Sequence, residues 1–496
     1  MEIPFSTFAA FLVYLGILLI IGLYFLKKSQ NMKEYFLGGR QLNSWVTALS
    51  AQASDMSGWL LMGLPAAAYI SGISSGWIAI GLAIGTYANW KIIAKRLRNY
   101  TAICGDSITI PEYLQNRFHT ESPVIRSICS VIIFIFFLIY TASAFNAGAV
   151  LFRYLFGFSY TTSLIIGCIV IISYTLMGGF FAVSWTDFVQ GMLMFVTIVI
   201  VPILAYKSSS AVNIDTIKEI GGPGFLSMME SAEGKVKISS IVSSLAWGLG
   251  YLGMPHILTR FMAIKSSSMI KKSRIIAMVW VLISLTASVT VGLVGKAYLL
   301  DNGIEYTNLK DAEAVFMTMI TGVAPGFLAG ILLSAIMAAV MSTADSQLLV
   351  TASALTNDFY KAVVKRDATG KELIWVSRIS VFLVALIAFV IAYNPDNTVM
   401  SLVSYAWAGL GASFGPVIFL SLFWKRMTAK GAIAGMISGG VTVLLWESFG
   451  IENAIGLYSI IPGYIVSLLS VYIFSIIDEE PSVEVLEEFN TVKNYR

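Results

Sequence analysis

Long apolar runs follow one another along most of the chain, separated by short polar segments. A membrane-spanning helix needs about 20 consecutive, mostly apolar residues, and many of the runs reach that length. The pattern predicts an all-α polytopic membrane protein with about thirteen spans. We expect them near residues 5–26, 41–70, 75–94, 124–153, 160–178, 181–206, 238–259, 275–298, 325–352, 375–393, 398–423, 430–449 and 456–477.

Composition supports a membrane protein and argues against several other classes. Of the 496 residues, 57% are hydrophobic and only 12% are charged, whereas soluble domains average about 25% charged. The net charge of +4 comes from basic residues spread over short loops, which is not a nucleic-acid signature. Two histidines and no Cys/His cluster argue against a zinc site. The absence of a P-loop pattern argues against ATP as the energy source.

The basic residues are distributed unequally between the two sides of the predicted membrane. If the N-terminus lies outside, 25 of the 32 lysines and arginines fall on the inner side. The positive-inside rule therefore places the N-terminus outside and the C-terminus in the cytoplasm. The acidic segment from Asp478 to Glu488 is then expected to be a solvated and flexible cytoplasmic tail.

Two of the predicted spans are interrupted in corresponding ways. The second contains the small and polar run 53–58, and the seventh contains three glycines and a proline within 247–256. Such sequences favour broken helices that line a cavity near the middle of the membrane. The two spans lie five apart, and an odd offset inverts the topology. Each is therefore predicted to open one half of a 5+5 inverted repeat.

Asp55 is the most informative residue of the second span. A carboxylate at the centre of a membrane helix costs about 2.5–3.5 kcal/mol on insertion scales. It persists where it faces protein or a water-filled cavity, which makes it a functional candidate. Backbone carbonyls freed around Ala53, Met56 and Ser57 would suit a sodium ion. The alternative is close helix packing through small residues, which explains the alanine and serines but not the aspartate.

A second polar constellation lies late in the ninth span. Ala339, Ser342, Thr343 and Ser346 fall on one face at helical spacing, and Asp345 lies one turn from Ser342. The hydroxyl pair at 342 and 343 would complete an oxygen cage with the carbonyls of the second span. The alternative is that these hydroxyls bond back to carbonyls of their own helix.

Four further ionisable residues allow a functional and a structural interpretation. Asp187 follows a tight turn in the segment 178–190 and is either a cation relay or a solvated charge at a helix end. Arg40 ends a cytoplasmic loop, where the positive-inside bias explains it. His256 and Arg260 are four residues apart at a helix end, and this pair is expected to anchor that end at the interface.

Aromatic residues accompany both interruptions. Trp59 and Trp247 lie beside the two breaks, Tyr251 lies in the second break, and Tyr140 lies in the middle of a span. Lone membrane aromatics usually form interfacial belts, which is the alternative here. Aromatic walls around a break suit a small amphipathic ligand with an apolar ring or side chain.

Five long stretches then point to a family. They are FLGGRQLNSWVTALSAQASDMSGWLLMGLP (36–65), GGFFAVSWTDFVQ (178–190), WGLGYLGMPHILTRFMA (247–263), GILLSAIMAAVMSTADSQLLV (330–350) and LVSYAWAGLGASFGPV (402–417). Together they resemble the sodium:solute symporter family, and within it the bacterial sodium/proline symporters. The resemblance implies a LeuT-like inverted-repeat core with one extra helix before it and two after it.

That resemblance also implies a division of the chain. Residues 1–40 would form the extra N-terminal helix and a cytoplasmic loop, and residues 41–423 the transport core. The halves of the core would be 41–206 and 238–423. The two extra C-terminal helices would lie in 424–477, followed by the cytoplasmic acidic tail 478–496.

The resemblance further implies site residues. The sodium ligands would be the carbonyls of Ala53, Met56 and Ala339 and the hydroxyls of Ser342 and Thr343. The substrate-binding residues would be Ser57, Gly58, Trp59, Tyr140, Trp247, Tyr251 and Pro255. Coupling, or a second cation site, would involve Asp55, Asp187, Asp345 and Ser346. Asp345 is a departure, because several relatives with a second site have a hydroxyl there.

The expected function is sodium-driven symport of L-proline into the cell by alternating access, which is transport and not enzymatic catalysis. The expected partners are L-proline, the co-transported sodium ion and the lipid bilayer. We expect no organic cofactor, no nucleic acid and no obligate protein partner. The alternatives are another small amino acid or carboxylate as substrate, a proton in place of sodium, a transporter-like sensor and a passive channel.

Overall fold

The computed structural model describes residues 4–26, 32–176, 179–210, 212–231 and 234–494, so Met1 and Gly178 lie outside the described residues. The helices are α1 (Phe5–Leu26), α2 (Met32–Leu37), α3 (Ser44–Asp55), α4 (Leu64–Ser71), α5 (Gly76–Ala88), α6 (Ala94–Ile103), α7 (Ile110–Arg117), α8 (Val124–Phe156), α9 (Tyr160–Thr175), α10 (Phe180–Ser208), α11 (Ile214–Gly221), α12 (Ile238–Ala246), α13 (Pro255–Ala263), α14 (Ile270–Asp301), α15 (Leu309–Ala312), α16 (Val315–Val323), α17 (Gly326–Ser353), α18 (Gly370–Ala392), α19 (Val399–Phe423), α20 (Ala429–Ser448), α21 (Ile451–Ile455), α22 (Ile460–Ile477) and α23 (Val483–Asn494). Strands β1 (Glu230–Ser231) and β2 (Gly234–Lys235) form a small antiparallel hairpin.

Short turns of other helix types extend or join these elements. The 3₁₀ turns are Gly38–Arg40, Gly72–Ser75, Trp247–Gly253 and Ser267–Met269. The π-helical segments are Trp59–Gly63, Asn89–Ile93 and Ala354–Val364. We call the end of the bundle that carries α2, α7 and α23 the tail end, and the end that carries β1, β2 and α21 the hairpin end.

The all-helical membrane architecture is confirmed. Among the described residues, ten helical stretches are long and apolar enough to cross a membrane, or eleven if the bent pair 238–253 and 255–263 forms one span. The predicted fifth span corresponds to α9, which has only 16 residues. The 45-residue stretch Trp59–Ile103 counts as one of the ten, although it is interrupted at the turn Gly72–Ser75 and includes parts of the predicted second and third spans. The count of thirteen therefore stays a prediction.

The first break follows from the local backbone of the second predicted span. Asn43 caps α3, because its side chain accepts hydrogen bonds from the first backbone N–H groups of the helix. The helix ends at Asp55, and the N–H of Ser57 donates to the Asp55 carbonyl at 2.9 Å. In an unbroken helix that N–H would donate to Ala53. The Ala53 carbonyl is therefore released from its own helix.

The second break separates α12 from α13. Its 3₁₀ turn Trp247–Gly253 leads to a bend of 46° before Pro255. The proline opens α13, where its missing N–H leaves no hydrogen bond unmade. Gly250 lies directly under the indole of Trp407, and a Cβ atom there would collide with that ring. The glycine thus allows α19 to pack against the broken segment.

The C-terminal segment differs from the flexible tail expected from its charge. Residues 483–494 form α23, and Val485, Phe489 and Val492 on one face are buried. The Phe489 ring lies 5.0 Å from the guanidinium carbon of Arg96 and 5.2 Å from that of Arg117. The expectation was wrong for this helix, because the apolar positions at i, i+4 and i+7 were hidden among acidic residues.

Candidate functional site

The carbonyl released at the first break faces α17. Ser342 Oγ donates to the Ala53 carbonyl at 2.8 Å and lies 3.3 Å from the Ala339 carbonyl. The adjacent Thr343 hydroxyl is buried and has no hydrogen-bond partner. Met56 is buried at the end of α3. Carbonyl and hydroxyl oxygens of this kind are suitable ligands for a hard cation such as sodium.

Asp55 joins the two breaks. Its side chain is fully buried, and Tyr251 Oη donates to Oδ2 at 2.5 Å. Tyr140 Oη and Trp59 Nε1 both donate to the Asp55 backbone carbonyl at 3.3 Å. The second carboxylate oxygen, Oδ1, has no hydrogen-bond partner. None of the ion pairs formed within the described ranges includes Asp55.

A buried carboxylate without a counter-ion is costly, because burial removes the water that would stabilise its charge. Sodium seated near Oδ1 would supply the missing positive charge. The geometry of Asp55 therefore favours a mobile cation at this point.

Asp187 and Asp345 form a separate cluster around Arg260. Arg260 Nη2 donates to Asp187 Oδ2 at 3.0 Å and to Ser346 Oγ at 2.5 Å. Ser50 Oγ donates to the same Asp187 oxygen at 2.7 Å. Ser346 Oγ also lies 3.4 Å from Asp345 Oδ1. The guanidinium pairs directly with Asp187 and reaches Asp345 only through Ser346, so its one positive charge lies beside two buried carboxyl groups and can balance only one of them.

The predicted aromatic residues gather between the breaks. The ring centroids of Trp59 and Trp247 are 6.2 Å apart, with the planes tilted by 42°. Tyr251 packs edge-on against Trp407 at 5.1 Å, and Trp407 Nε1 donates to the Trp247 carbonyl at 2.8 Å. Tyr140 is fully buried and meets Asp55 as described. These rings border the first break and not a membrane interface.

The other three predicted substrate residues occupy different surroundings. Ser57 Oγ accepts a hydrogen bond from the Trp59 backbone N–H at 3.4 Å. Gly58 packs so closely on α8 that a Cβ atom would come within 2.9 Å of the Ala147 methyl group. Pro255 lines a cavity toward the tail end together with Thr109, Phe180, Thr259 and Asp358.

Residues 35–439 match the sequence profile of the Sodium:solute symporter family. This match covers most of the chain, including both breaks and all the predicted site residues. The chain belongs to the sodium:solute symporter family. It is a membrane transporter and not an enzyme.

Two relatives of this symporter are similar over nearly their whole length. The high-affinity proline transporter PutP of Bacillus subtilis is 47% identical over 475 residues, covering 95% of this chain and 98% of the relative. The sodium/proline symporter of Escherichia coli is 45% identical over 492 residues, covering 99% and 96%.

Solved structures support the fold of the symporter. A Na⁺-coupled sialic acid symporter in a substrate-bound outward-open state has a TM-score of 0.79 at 20% identity, covering 97% of this chain and 99% of that one. MHP1, a nucleobase-cation-symport-1 family transporter, has a TM-score of 0.54 at 11% identity, covering 92% and 98%. At these identities the likeness concerns the fold alone, which is that of LeuT-like transporters.

The structure corrects the sequence-based interpretation of four ionisable residues. His256 and Arg260 are 0% and 1% exposed, so this symporter does not use them as interfacial anchors. Asp187 is 0% exposed and is not a solvated end charge. Arg40 is also buried, and it donates to the Met262 carbonyl at the end of α13 at 2.6 Å.

Some site residues of the symporter gave little signal in the sequence. His256 packs against the rings of Phe137 and Tyr140, and neither of its ring nitrogens has a hydrogen-bond partner. Gln52 likewise has both side-chain polar atoms buried and unpartnered, one turn from Met56. For Arg260 a signal was available: an aspartate at position 187, if buried, needs a cation, and Arg260 is an arginine at the end of a predicted span that could supply it.

Proposed function

We propose that this symporter imports L-proline together with sodium, using the sodium gradient across the cell membrane. The names of the Bacillus subtilis and Escherichia coli relatives support proline as substrate. The observation that carries the coupling is Asp55, which is buried without a side-chain cation and has one free carboxylate oxygen. The electrical gradient supplies about 2.3 kcal/mol per inward charge for each 100 mV.

We assign the sodium ion to the gap between the first break and α17. The proposed ligands are the carbonyls of Ala53, Met56 and Ala339 and the hydroxyls of Ser342 and Thr343. Two features support this assignment. Ser342 already joins the Ala53 and Ala339 carbonyls, and Thr343 has an unused buried hydroxyl. Sodium would accept both carbonyls as ligands while the Ser342 hydroxyl turns its oxygen toward the ion.

L-Proline is proposed to bind beside the first break. The proposed residues are Ser57, Gly58, Trp59, Tyr140, Trp247, Tyr251 and Pro255. The pyrrolidine ring suits the faces of Trp59 and Trp247, and the carboxylate suits N–H groups exposed where a helix is interrupted. Pro255 contributes from the start of α13, on the tail-end side.

Coupling between the two ligands would pass through Asp55. Tyr251 belongs to the second break and donates to Asp55, which belongs to the first. Sodium at the first break fixes the carboxylate and hence the tyrosine beside the substrate. By linkage, sodium and proline must raise each other's affinity by the same factor.

The Arg260 cluster has a different proposed role. A second exchangeable cation at Asp187, Asp345 and Ser346 would compete with a guanidinium that is already bound there. We therefore propose that Arg260 acts as a tethered cation, and that this cluster contributes to coupling by holding α10, α13 and α17 together. Arginine stays protonated in proteins, so this positive charge cannot leave.

The finer architecture is also proposed. It consists of thirteen spans: one extra helix within 1–40, a 5+5 inverted-repeat core over 41–423 and two extra helices within 424–477. The N-terminus would lie outside the cell, and the tail 478–496 in the cytoplasm. Buried and half-buried arginines at the tail end, such as Arg117 and Arg126, fit a cytoplasmic location of that end.

The decisive experiment is uptake of radiolabelled L-proline by purified protein in liposomes. One arm has an inward sodium gradient, and its matched control has potassium in place of sodium. Sodium-dependent accumulation above equilibrium is the expected result. A channel would give flux without accumulation, and a folded protein that accumulates no proline would refute the substrate. Other small amino acids and carboxylates would then be screened under sodium and proton gradients.

A further inference from the structure

A short segment between α21 and α22 reaches into the proposed substrate region. Tyr458 in this segment is 3% exposed, although it follows a surface helix. Its ring stacks on Trp247, with centroids 5.4 Å apart and planes at 25°. Trp247 in turn faces Trp59 at 6.2 Å. Three aromatic rings therefore form a row from α22 to the first break.

Several hydrogen bonds fix Tyr458 in that row. Its hydroxyl donates to the Ser404 carbonyl in α19 at 2.6 Å. Its backbone N–H donates to Ser243 Oγ in α12 at 3.0 Å. Trp446 of α20 donates to the Leu457 carbonyl at 3.0 Å. The segment is thus tied to α12, which ends directly before Trp247, and to α19 and α20.

The backbone on both sides of α21 makes this arrangement possible. Gly450 and Gly456 have φ values of +62° and +71°, a conformation that other residues rarely adopt. They terminate the five-residue helix α21 at both ends and direct the chain back over the hairpin end. The segment 456–459 can therefore cover Trp247 before α22 enters the membrane.

We infer that Tyr458 is a positioning residue for the substrate, and that it sets the ring size the pocket accepts. This inference rests on the proposed proline transport. Trp247 has two faces, and Tyr458 covers one of them, so the indole cannot tilt away from a ligand held between Trp247 and Trp59. The residue lies outside the matched family region 35–439 and outside the predicted core 41–423. The segment 456–459, which leads into α22, thus completes the wall of the proposed substrate pocket.

A second Tyr–Trp stack, within α22, provides a control that distinguishes a purely structural role of the Tyr458 stack from a role in substrate positioning. Tyr472 of α22 stacks on Trp424 with centroids 5.4 Å apart and planes at 19°. Tyr472 is 52% exposed and lies toward the tail end, far along the helix from Tyr458. The variants Tyr458→Ala and Tyr472→Ala therefore remove two Tyr–Trp stacks of similar geometry, one just before α22 and one within it, and only the first involves Trp247.

The first experiment measures proline uptake in liposomes for wild type, Tyr458→Ala, Tyr458→Phe and Tyr472→Ala. We expect Tyr458→Ala to raise the KM for proline about tenfold with little change in maximal rate. Six-membered cyclic imino acids should compete better in this variant, relative to five-membered ones. Tyr458→Phe should keep the wild-type ring preference, and Tyr472→Ala should resemble wild type. An unchanged KM and ring preference in Tyr458→Ala would overturn the inference.

A second experiment is independent of transport rates. A thiol introduced by Tyr458→Cys is labelled from outside with a membrane-impermeant maleimide, since Cys104, Cys129 and Cys168 are all buried. Saturating proline with sodium should slow this labelling about tenfold relative to sodium alone. Phe449→Cys, at a position 75% exposed, is the control and should label equally in both conditions. If the thiol at position 458, like the one at position 449, is labelled at the same rate with and without proline, the contact between Tyr458 and the pocket is refuted.

The wild-type arm keeps the two proposals apart. If wild type accumulates no proline, the proposed substrate is wrong, and the thiol at position 458 is then tested with whichever solute wild type accumulates. If wild type accumulates proline and Tyr458→Ala behaves as wild type, only the role of Tyr458 is wrong.

Discussion

Asp55 and Asp187 are both fully buried aspartates, but their partners differ. Asp187 is bound by the guanidinium of Arg260, which is part of the chain. Asp55 is bound by the hydroxyl of Tyr251 and has no ion-pair partner among the described residues, although each of the two carboxylates has one oxygen without a hydrogen-bond partner. A buried negative charge requires compensation, and the chain supplies it permanently in only one of the two places. Of these two aspartates, Asp55 is therefore the one at which we propose that an ion from solution binds and leaves.

This contrast predicts opposite responses to sodium. Removal of the Asp55 charge should remove the site of the mobile ion. Removal of the Arg260 charge should instead create a demand for a cation where none is needed in the wild type. The two substitutions therefore separate an exchangeable site from a permanently compensated one.

The largest effect is expected for Asp55→Asn. The amide keeps the size of the side chain but cannot compensate a cation, so sodium-driven proline uptake should fall about 100-fold or more. Uptake into liposomes under a sodium gradient measures this loss. Asp396→Asn is the matched control, because Asp396 is 83% exposed and pairs with Lys310 at the surface. Near-normal uptake by Asp55→Asn would remove the basis of the comparison.

A large effect on stability is expected for Arg260→Gln. Removing one partner of a buried ion pair costs about 3–5 kcal/mol, because Asp187 is left without compensation. The melting temperature of the purified variant should fall in potassium buffer and recover partly as sodium replaces potassium. Wild type should show a smaller dependence of this kind.

The double variant Arg260→Gln with Asp187→Asn tests the cause. The Arg260–Asp187 ion pair is then absent as a whole and Asp345 is the only carboxyl group left in the cluster, so much of the lost stability should return and the added sodium dependence should become smaller. If single and double variants melt alike and ignore sodium, Arg260 contributes packing and not charge compensation. The stabilisation by Arg260 would then come from its contact with the Phe180 ring, which lies 5.0 Å from the guanidinium carbon.

The sequence singled out the Asp55 region for a physical reason. Polar groups in the middle of a membrane helix are costly, so Asp55 and the Ser342 hydroxyl stand out against an apolar background. The interruptions at 53–58 and 247–256 were equally visible, because small residues and a proline weaken a helix. The structure places Ser342 against the Ala53 carbonyl, as the oxygen-cage hypothesis requires.

The Arg260 region was predicted poorly because its meaning depends on the third dimension. A charge near a predicted helix end looks interfacial until α10 and α17 are seen to enclose it. Tyr458 has the same difficulty, since an aromatic residue at the start of a span is typical of an interfacial belt. Only the packing of α22 against α12 reveals its contact with Trp247.

A moderate effect is expected at the substrate side of Asp55. Trp247→Ala removes the ring that faces Trp59, so the affinity for proline should fall about tenfold. Sodium binding measured without proline should change less, because the proposed ion ligands are on α3 and α17. Binding isotherms for each ligand alone provide both numbers. An equal loss for the two ligands would mean that the tryptophan only supports the fold.

The smallest effect concerns a third acidic site, the pair Glu447 and Glu452, which has neither a guanidinium nor a proposed metal ion. Ser459 Oγ donates to the Glu447 carboxylate at 2.7 Å, and the Ser459 N–H donates to Glu452 at 3.2 Å. Burial, and secondly the charge of Glu447, raises the pKa of Glu452 to about 7. A proton is therefore the cation that this pair binds most readily.

The sign of the pH effect follows from the raised pKa. Because the folded protein binds this proton more tightly than an unfolded chain does, the stabilisation by Glu452 is complete below its ordinary pKa of 4.5 and is lost as the pH rises through about 7. The melting temperature of wild type should therefore fall over this interval by a few degrees. Glu452→Gln, which resembles the protonated acid, should reduce that fall, whereas Glu484→Gln in α23 should not. An unchanged slope in Glu452→Gln would mean that water and not a proton compensates the pair. The proposed contrast would then be limited to Asp55 and Asp187, that is, to a mobile ion against an arginine.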